Sequence, residues 1–248
     1  FDVECFKSFA KGYLSEMGKV LTPKEIELLP MSVWLMTYEC GVRSINLANK
    51  ENLLKAFKMA CDNGVEMQSV STIGKTEMDY VFPNYEQAKM EATWKEDIEN
   101  LAQFDNSVML VDEFLIDTYD WDFITEILDE INSAGVPAGI ITSFPFKTSE
   151  KLIDSPILED KSLFDFYMIP VNKLGYMMDI PDFRSDKQEE LNSMLEKIDK
   201  KVIINKILAV GIQKPEEAFN FLNTLDFADM VSVGIASERE AEETFNIL

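Results

Sequence analysis

The sequence predicts an α/β protein on a parallel sheet of the (β/α) TIM-barrel type, preceded by a helical segment. Three observations predict it. Short apolar stretches begin at residues 108, 138, 164, 202 and 230, a spacing of about 30 residues, which is the size of one βα unit. Each stretch is apolar throughout rather than alternating, as strands buried on both faces are. Between most of them lie amphipathic helical stretches. Five such strands in succession fit a (β/α) barrel or a doubly wound sheet. No GxGxxG and no GxxxxGK[ST] follows any strand, which weakens a nucleotide-binding version.

The elements follow in chain order. Residues 1–43 read as a helical segment, because Phe6, Phe9, Tyr13 and Met17 recur on one helical face. Thr22-Pro23-Lys24-Glu25 starts a second helix, with Thr22 as cap, Pro23 in the first turn and Glu25 completing a capping box. Residues 44–248 read as the barrel-like domain. A helix over 51–62 is closed by Asn63-Gly64, and a strand follows over 65–73. Helices are expected over 88–104, 121–133, 187–198, 215–225 and 238–247. Strands are expected over 108–111, 138–141, 164–169, 202–204 and 230–233. Asp79-Tyr80-Val81-Phe82 could be a strand, but it follows the previous one too closely for a helical crossover. Either it belongs to a long loop or the barrel lacks one βα unit.

Composition removes several chemistries. The chain holds 23 Lys+Arg and 45 Asp+Glu for a net charge of −22, and no His. Zero His excludes Ser-His-Asp and Cys-His catalysis and any imidazole base. Cys5, Cys40 and Cys61 have no CxxC spacing, which argues against thiolate zinc and against a disulfide framework. The excess of carboxylates argues against a nucleic-acid partner. No apolar run reaches the roughly 20 residues of a membrane span, and no signal peptide opens the chain. The expectation is an acidic, cytoplasmic protein that takes a small molecule, with the cofactor left open.

Two stretches resemble known families. Residues 1–43, with FDVECFKSFAKGYLSEMG, LTPKEIELLP and LMTYECGVR, resemble the C-terminal helical part of aminoglycoside-phosphotransferase-like N-acetylhexosamine kinases. The H-x-D catalytic core of those kinases has no counterpart, so the resemblance implies a helical element rather than kinase activity. Residues from about 50 to 248 resemble an uncharacterised barrel family related to aldo-keto reductases. The stretches are KAFKMACDNGVEMQSVST, EILDEINSAGVPAGIITSFP, FDFYMIPVNKLGYMMD, KVIINKILAVGIQKPEEAF and DMVSVGIASEREAEETF. This resemblance implies a barrel. The reductase Asp and Tyr are absent from Val70-Ser71-Thr72-Ile73-Gly74, and Asp112 stands where its His is expected. It therefore does not imply hydride transfer.

A barrel places its active site at the C-terminal strand ends. Lys206 lies in an apolar run after 202–204, where desolvation suits an amine to act as a base or Schiff-base nucleophile. Asp112, at another strand end, is its expected partner, and such a pair could also serve structure alone. Asn172, Asn205, Thr142, Ser143, Gly234 and Ser237 are the expected substrate-binding residues. Ser237-Glu238-Arg239-Glu240 also reads as a capping box, which would satisfy the same helix N-terminus internally. Asp112, Glu113 and Asp117 could supply acid–base chemistry or hold Mg²⁺. Strand alternation lets only one of Asp112 and Glu113 point inward, leaving the other two carboxylates on a solvated loop. The expected function is a lyase or aldolase type of enzyme on a small polar metabolite. The alternative is a barrel scaffold that binds without catalysis.

Overall fold

A computed structural model describes residues 69–76, 78–79, 82–102, 107–235 and 238–247. The expectations for residues 1–68, including the helical segment and the helix over 51–62, lie outside the described residues. So do Tyr80 and Val81 of the ambiguous stretch, and Ser237.

The chain divides into two compact units, one spanning Val70–Ser232 and the other joining 233–248 to the N-terminal 69 residues. The larger unit is organised by a six-stranded, all-parallel sheet that curls into half a barrel, in the order β1-β2-β3-β4-β5-β6. The strands are β1 Ser69–Ile73, β2 Ser107–Val111, β3 Ala138–Ile141, β4 Phe166–Pro170, β5 Lys201–Asn205 and β6 Met230–Val231. The expected parallel, sequential pairing is what the structure shows. A doubly wound sheet reverses its strand order at a switch point; among the described residues this sheet does not. Right-handed crossovers that all step the same way put their helices on one side. Among the described residues, the strands number six, short of the eight that close a barrel.

Register fixes what each face carries. Val111, Ile140, Tyr167 and Val202 lie side by side on one face, and Leu110, Gly139, Phe166 and Lys201 on the other. The first face packs on helices: the Tyr167 hydroxyl meets Ser149 Oγ at 3.1 Å. On the second face Gly139 is required, because an added Cβ would lie 2.6 Å from the Phe166 carbonyl oxygen and against Leu110.

The crossovers depart from expectation in three places. The single helix expected over 88–104 is two helices, α1 Tyr85–Glu91 and α2 Trp94–Leu101. Ala92 is extended between them, and each half has its own start. Asn84 caps the first, with its side chain accepting from Gln87 N at 3.2 Å. After β2 come α3 Glu113–Ile116 and α4 Trp121–Ser133. Between β3 and β4, where no helix was expected, run α5 Pro145–Ile153 and α6 Pro156–Glu159. Both begin on a proline whose missing N–H costs nothing at that position. Helix α7 Ser185–Ile198 and α8 Pro215–Leu222 follow β4 and β5. The core includes Ile124, Ile127, Leu128 and Ile131, the apolar face of α4. Trp94 is buried edge-on to Phe123. In the smaller unit, α9 Glu238–Phe245 buries Ala241 and Thr244 on one face. Among the described residues, no helix is long and apolar enough to cross a membrane.

Candidate functional site

The C-terminal strand ends of the larger unit carry two groups of polar residues. The first gathers at the ends of β1, β2 and β3. Strand β2 stops at Val111, and Asp112 is the cap of the one-turn α3, its Oδ1 accepting from Phe114 N at 3.0 Å. Its backbone N–H donates to Ile73 O, tying the end of β1 to the end of β2. The single turn then brings Asp117 round. Asp117 Oδ1 accepts from the Thr142 hydroxyl, and Oδ2 accepts from Ser143 N at 3.1 Å. Thr148 Oγ1 lies 3.2 Å from the same carboxylate and 3.0 Å from the Tyr119 hydroxyl. Asp117 therefore clasps the loop that leaves β3.

The expected solvated loop is not what forms here. Asp112, Glu113 and Asp117 are 2%, 7% and 4% exposed, so all three carboxyls are buried. The alternation argument assumed a continuing strand, whereas the chain turns into a helix after Val111. Burial raises the pKa of Asp112, and the neighbouring Glu113 charge raises it further, against the opposing Lys75 charge and the Phe114 N–H. Burial likewise pushes Asp117 up to about 7, overcoming the hydrogen bonds from Thr142 and Ser143 that favour its ionised form. Tyr119 and Tyr167 are raised, chiefly by burial. A carboxyl poised near neutrality can give or take a proton. Among the described residues, no group of three or more His, Cys, Asp or Glu is arranged to hold a metal ion.

The second group lies at the ends of β4 and β5. Asn172, fully buried, spends its amide on its own loop. Its Oδ1 accepts from Leu174 N at 3.2 Å and Tyr176 N at 2.9 Å, and its Nδ2 donates to Tyr176 O at 2.7 Å. It also reaches Lys206 O at 3.4 Å, joining the β4 and β5 loops. Asn205 closes β5 opposite Pro170, 1% exposed, with Oδ1 bonded to nothing. Lys206 follows with a left-handed φ of 57°, and its Nζ is withdrawn from solvent. The chain then passes through Ala209, Val210 and Gly211 at φ 45°, 54° and 84°. Gly211 N and Gln213 N both return to Leu208 O, at 2.9 and 3.1 Å.

The structure therefore joins Thr142 and Ser143 through Asp117, and Asn172 to Lys206. It does not set Asp112 beside Lys206. Strands β3 and β4 stand between them, and three strand spacings are about 14 Å along the sheet. The cation that acts on Asp112 is Lys75, just past β1. Gly234 is exposed and belongs to the other compact unit. Sequence reasoning missed Lys75, Thr148, Tyr119 and Gln213, and it ranked Asp117 below Asp112. Only the five-residue step from Asp112 to Asp117, slightly more than one helical turn, could have signalled that pairing. No family model matches the chain.

Proposed function

We propose that this chain is an enzyme of the lyase or aldolase type, acting on a small polar carbonyl metabolite with the Lys206 amine as nucleophile. The observation that supports it best is the conformation of Lys206. A non-glycine residue at a left-handed φ costs on the order of 1 kcal/mol. Here that strained residue is a lysine, at a C-terminal strand end, with its nitrogen kept from water. Strain of this kind concentrates at functional sites. The neutral amine adds to the carbonyl carbon, the carbonyl oxygen leaves as water with both amine protons, and an imine remains. Once the imine takes a proton from water to become an iminium, the bond between its α and β carbons can break: the electron pair passes into the iminium to leave an enamine, and a β-hydroxyl returns its proton to the hydroxide so formed as it becomes the carbonyl of the released fragment. In this reading Asp112 works with Lys75 rather than with Lys206.

The same reading makes the half-barrel part of a TIM barrel related to the aldo-keto reductases, on the five sequence stretches quoted above, in a cytoplasmic protein whose partner is a small molecule rather than nucleic acid or membrane. A second reading, a scaffold that binds without catalysis, is favoured by one set of contacts. Asp112, Asp117 and Asn172 each spend hydrogen bonds on the protein's own backbone. Borohydride reduction in the presence of aldehydes and ketones separates the two. The enzyme reading expects a reduced adduct at Lys206 that Lys206→Met abolishes. No Lys206-dependent adduct with any carbonyl compound would leave the scaffold.

A further inference from the structure

Two buried amide oxygens lie unsatisfied in the stretch of chain around Lys206. Asn205 Oδ1 and Gln213 Oε1 have no hydrogen-bond partner, and their residues are 1% and 5% exposed. They bracket one short loop, 205–213, that closes on itself through Leu208 O. Buried acceptors without donors are rare, because each forfeits its hydration for nothing. The two fall on either side of the strained lysine, in the loop whose backbone departs furthest from ordinary geometry. The neighbouring amide cannot fill the need, since Asn172 is committed to Leu174, Tyr176 and Lys206 O.

We infer that the end of β5 takes an uncharged, polyhydroxylated aldehyde or ketone, whose hydroxyls donate to Asn205 Oδ1 and Gln213 Oε1 while its carbonyl meets Lys206. This rests on the reading of Lys206 above and names its substrate class. Two acceptors favour a ligand rich in O–H donors. A keto acid would bring a carboxylate, which only accepts, against two carbonyl-type oxygens. A carbonyl compound without hydroxyls would leave both acceptors unpaired, and such sites discriminate strongly against the analogue that lacks the donor.

Two measurements on the full chain separate this inference from the reading it rests on. In borohydride trapping, dihydroxyacetone should give a Lys206-dependent adduct at least about tenfold above pyruvate or propanal. Gln213→Met should remove that preference. In saturation-transfer NMR, erythritol, which has no carbonyl, should bind the parent and Lys206→Met alike. Its signal should fall about fivefold or more in Gln213→Met and Asn205→Leu. Gln213→Met alters a loop rather than a strand, so it remains informative if Asn205→Leu fails to fold. A Lys206 adduct that forms best with pyruvate, or is indifferent to Gln213→Met, overturns the substrate class and leaves the lysine. Erythritol binding without any Lys206 adduct keeps the polyol site and overturns the lysine. Absence of erythritol binding to the parent overturns the site itself.

Discussion

Asp117 shows how one side chain can hold a structure and still be costly to it. Its carboxylate clasps Thr142 and Ser143 across 25 and 26 residues of sequence, yet burial lifts its pKa from 3.8 to about 7. A carboxyl whose pKa is raised on folding binds its proton more tightly when folded. The stability this gives is fully present below the unfolded value and is lost as pH rises through the folded one. Asp112 is shifted in the same direction. Urea unfolding should therefore show greater stability at pH 5 than at pH 8, by on the order of a few kcal/mol. Asp117→Asn removes one of the two carboxyls and should flatten that dependence. An unchanged difference between the two pH values in the variant would show that Asp117 ionises normally in the folded protein.

At the scale of elements, the β3 loop is held from both sides. Asp117 grips it at Ser143, and Asp179 accepts from Phe146 N at 3.0 Å and Lys147 N at 2.7 Å, capping α5 from the loop after β4. Phe183 extends the tie, edge-on to both Phe146 and Phe221. Within the sheet, Gly139 leaves no room for a Cβ. A methyl there would press on the Phe166 backbone as well as on Leu110. Backbone cannot swing aside as a side-chain end can. Gly139→Ala should thus cost about 2–3 kcal/mol in chemical denaturation, an overpacking penalty. A loss below about 0.5 kcal/mol, the range of inconsequential surface changes, would mean that β3 and β4 can separate without strain.

For the whole molecule, charge is the dominant fact. A net −22 makes the compact state repel itself. Ion pairs relieve little of it. Lys161–Asp199 at 3.2 Å and Lys95–Glu126 at 3.3 Å are both largely exposed, and exposed pairs contribute at most about 1 kcal/mol each. Screening should relieve more. Raising sodium chloride from about 10 mM to about 0.5 M shrinks the Debye length from about 30 Å to under 8 Å. The Tm should rise by several degrees over that interval, a shift corresponding to on the order of 1–2 kcal/mol. A Tm that falls with salt would mean that attractive pairs outweigh the net repulsion.

Much of the fold could be read locally. Helix α4 matches its expected span of 121–133, with Asp120 capping it and Gly135 past its end, because caps, periodicity and breaker lie within one short stretch. The strands β2 to β6 were found for the same reason, since a parallel strand buried on both faces is apolar at every position. Helix α5 was not found. Its nine residues mix Lys, Thr, Ser and Glu with only a few apolar positions, and its first turn is completed by Asp179 from more than 30 residues away. Nor was the left-handed turn that begins at Lys206 legible, because Lys, Ala and Val give no sign of positive φ and only the surrounding chain imposes it. The sequence by itself determined which residues would stand at strand ends, since strand positions follow from apolar runs. Tertiary structure decided which of them meet. Asp112 and Lys206 follow strands with two others between them, whereas Asp117 reaches Thr142 because one helical turn redirects the chain. Which side chains meet is set by how the chain turns after each strand, and no local pattern of residues encodes that.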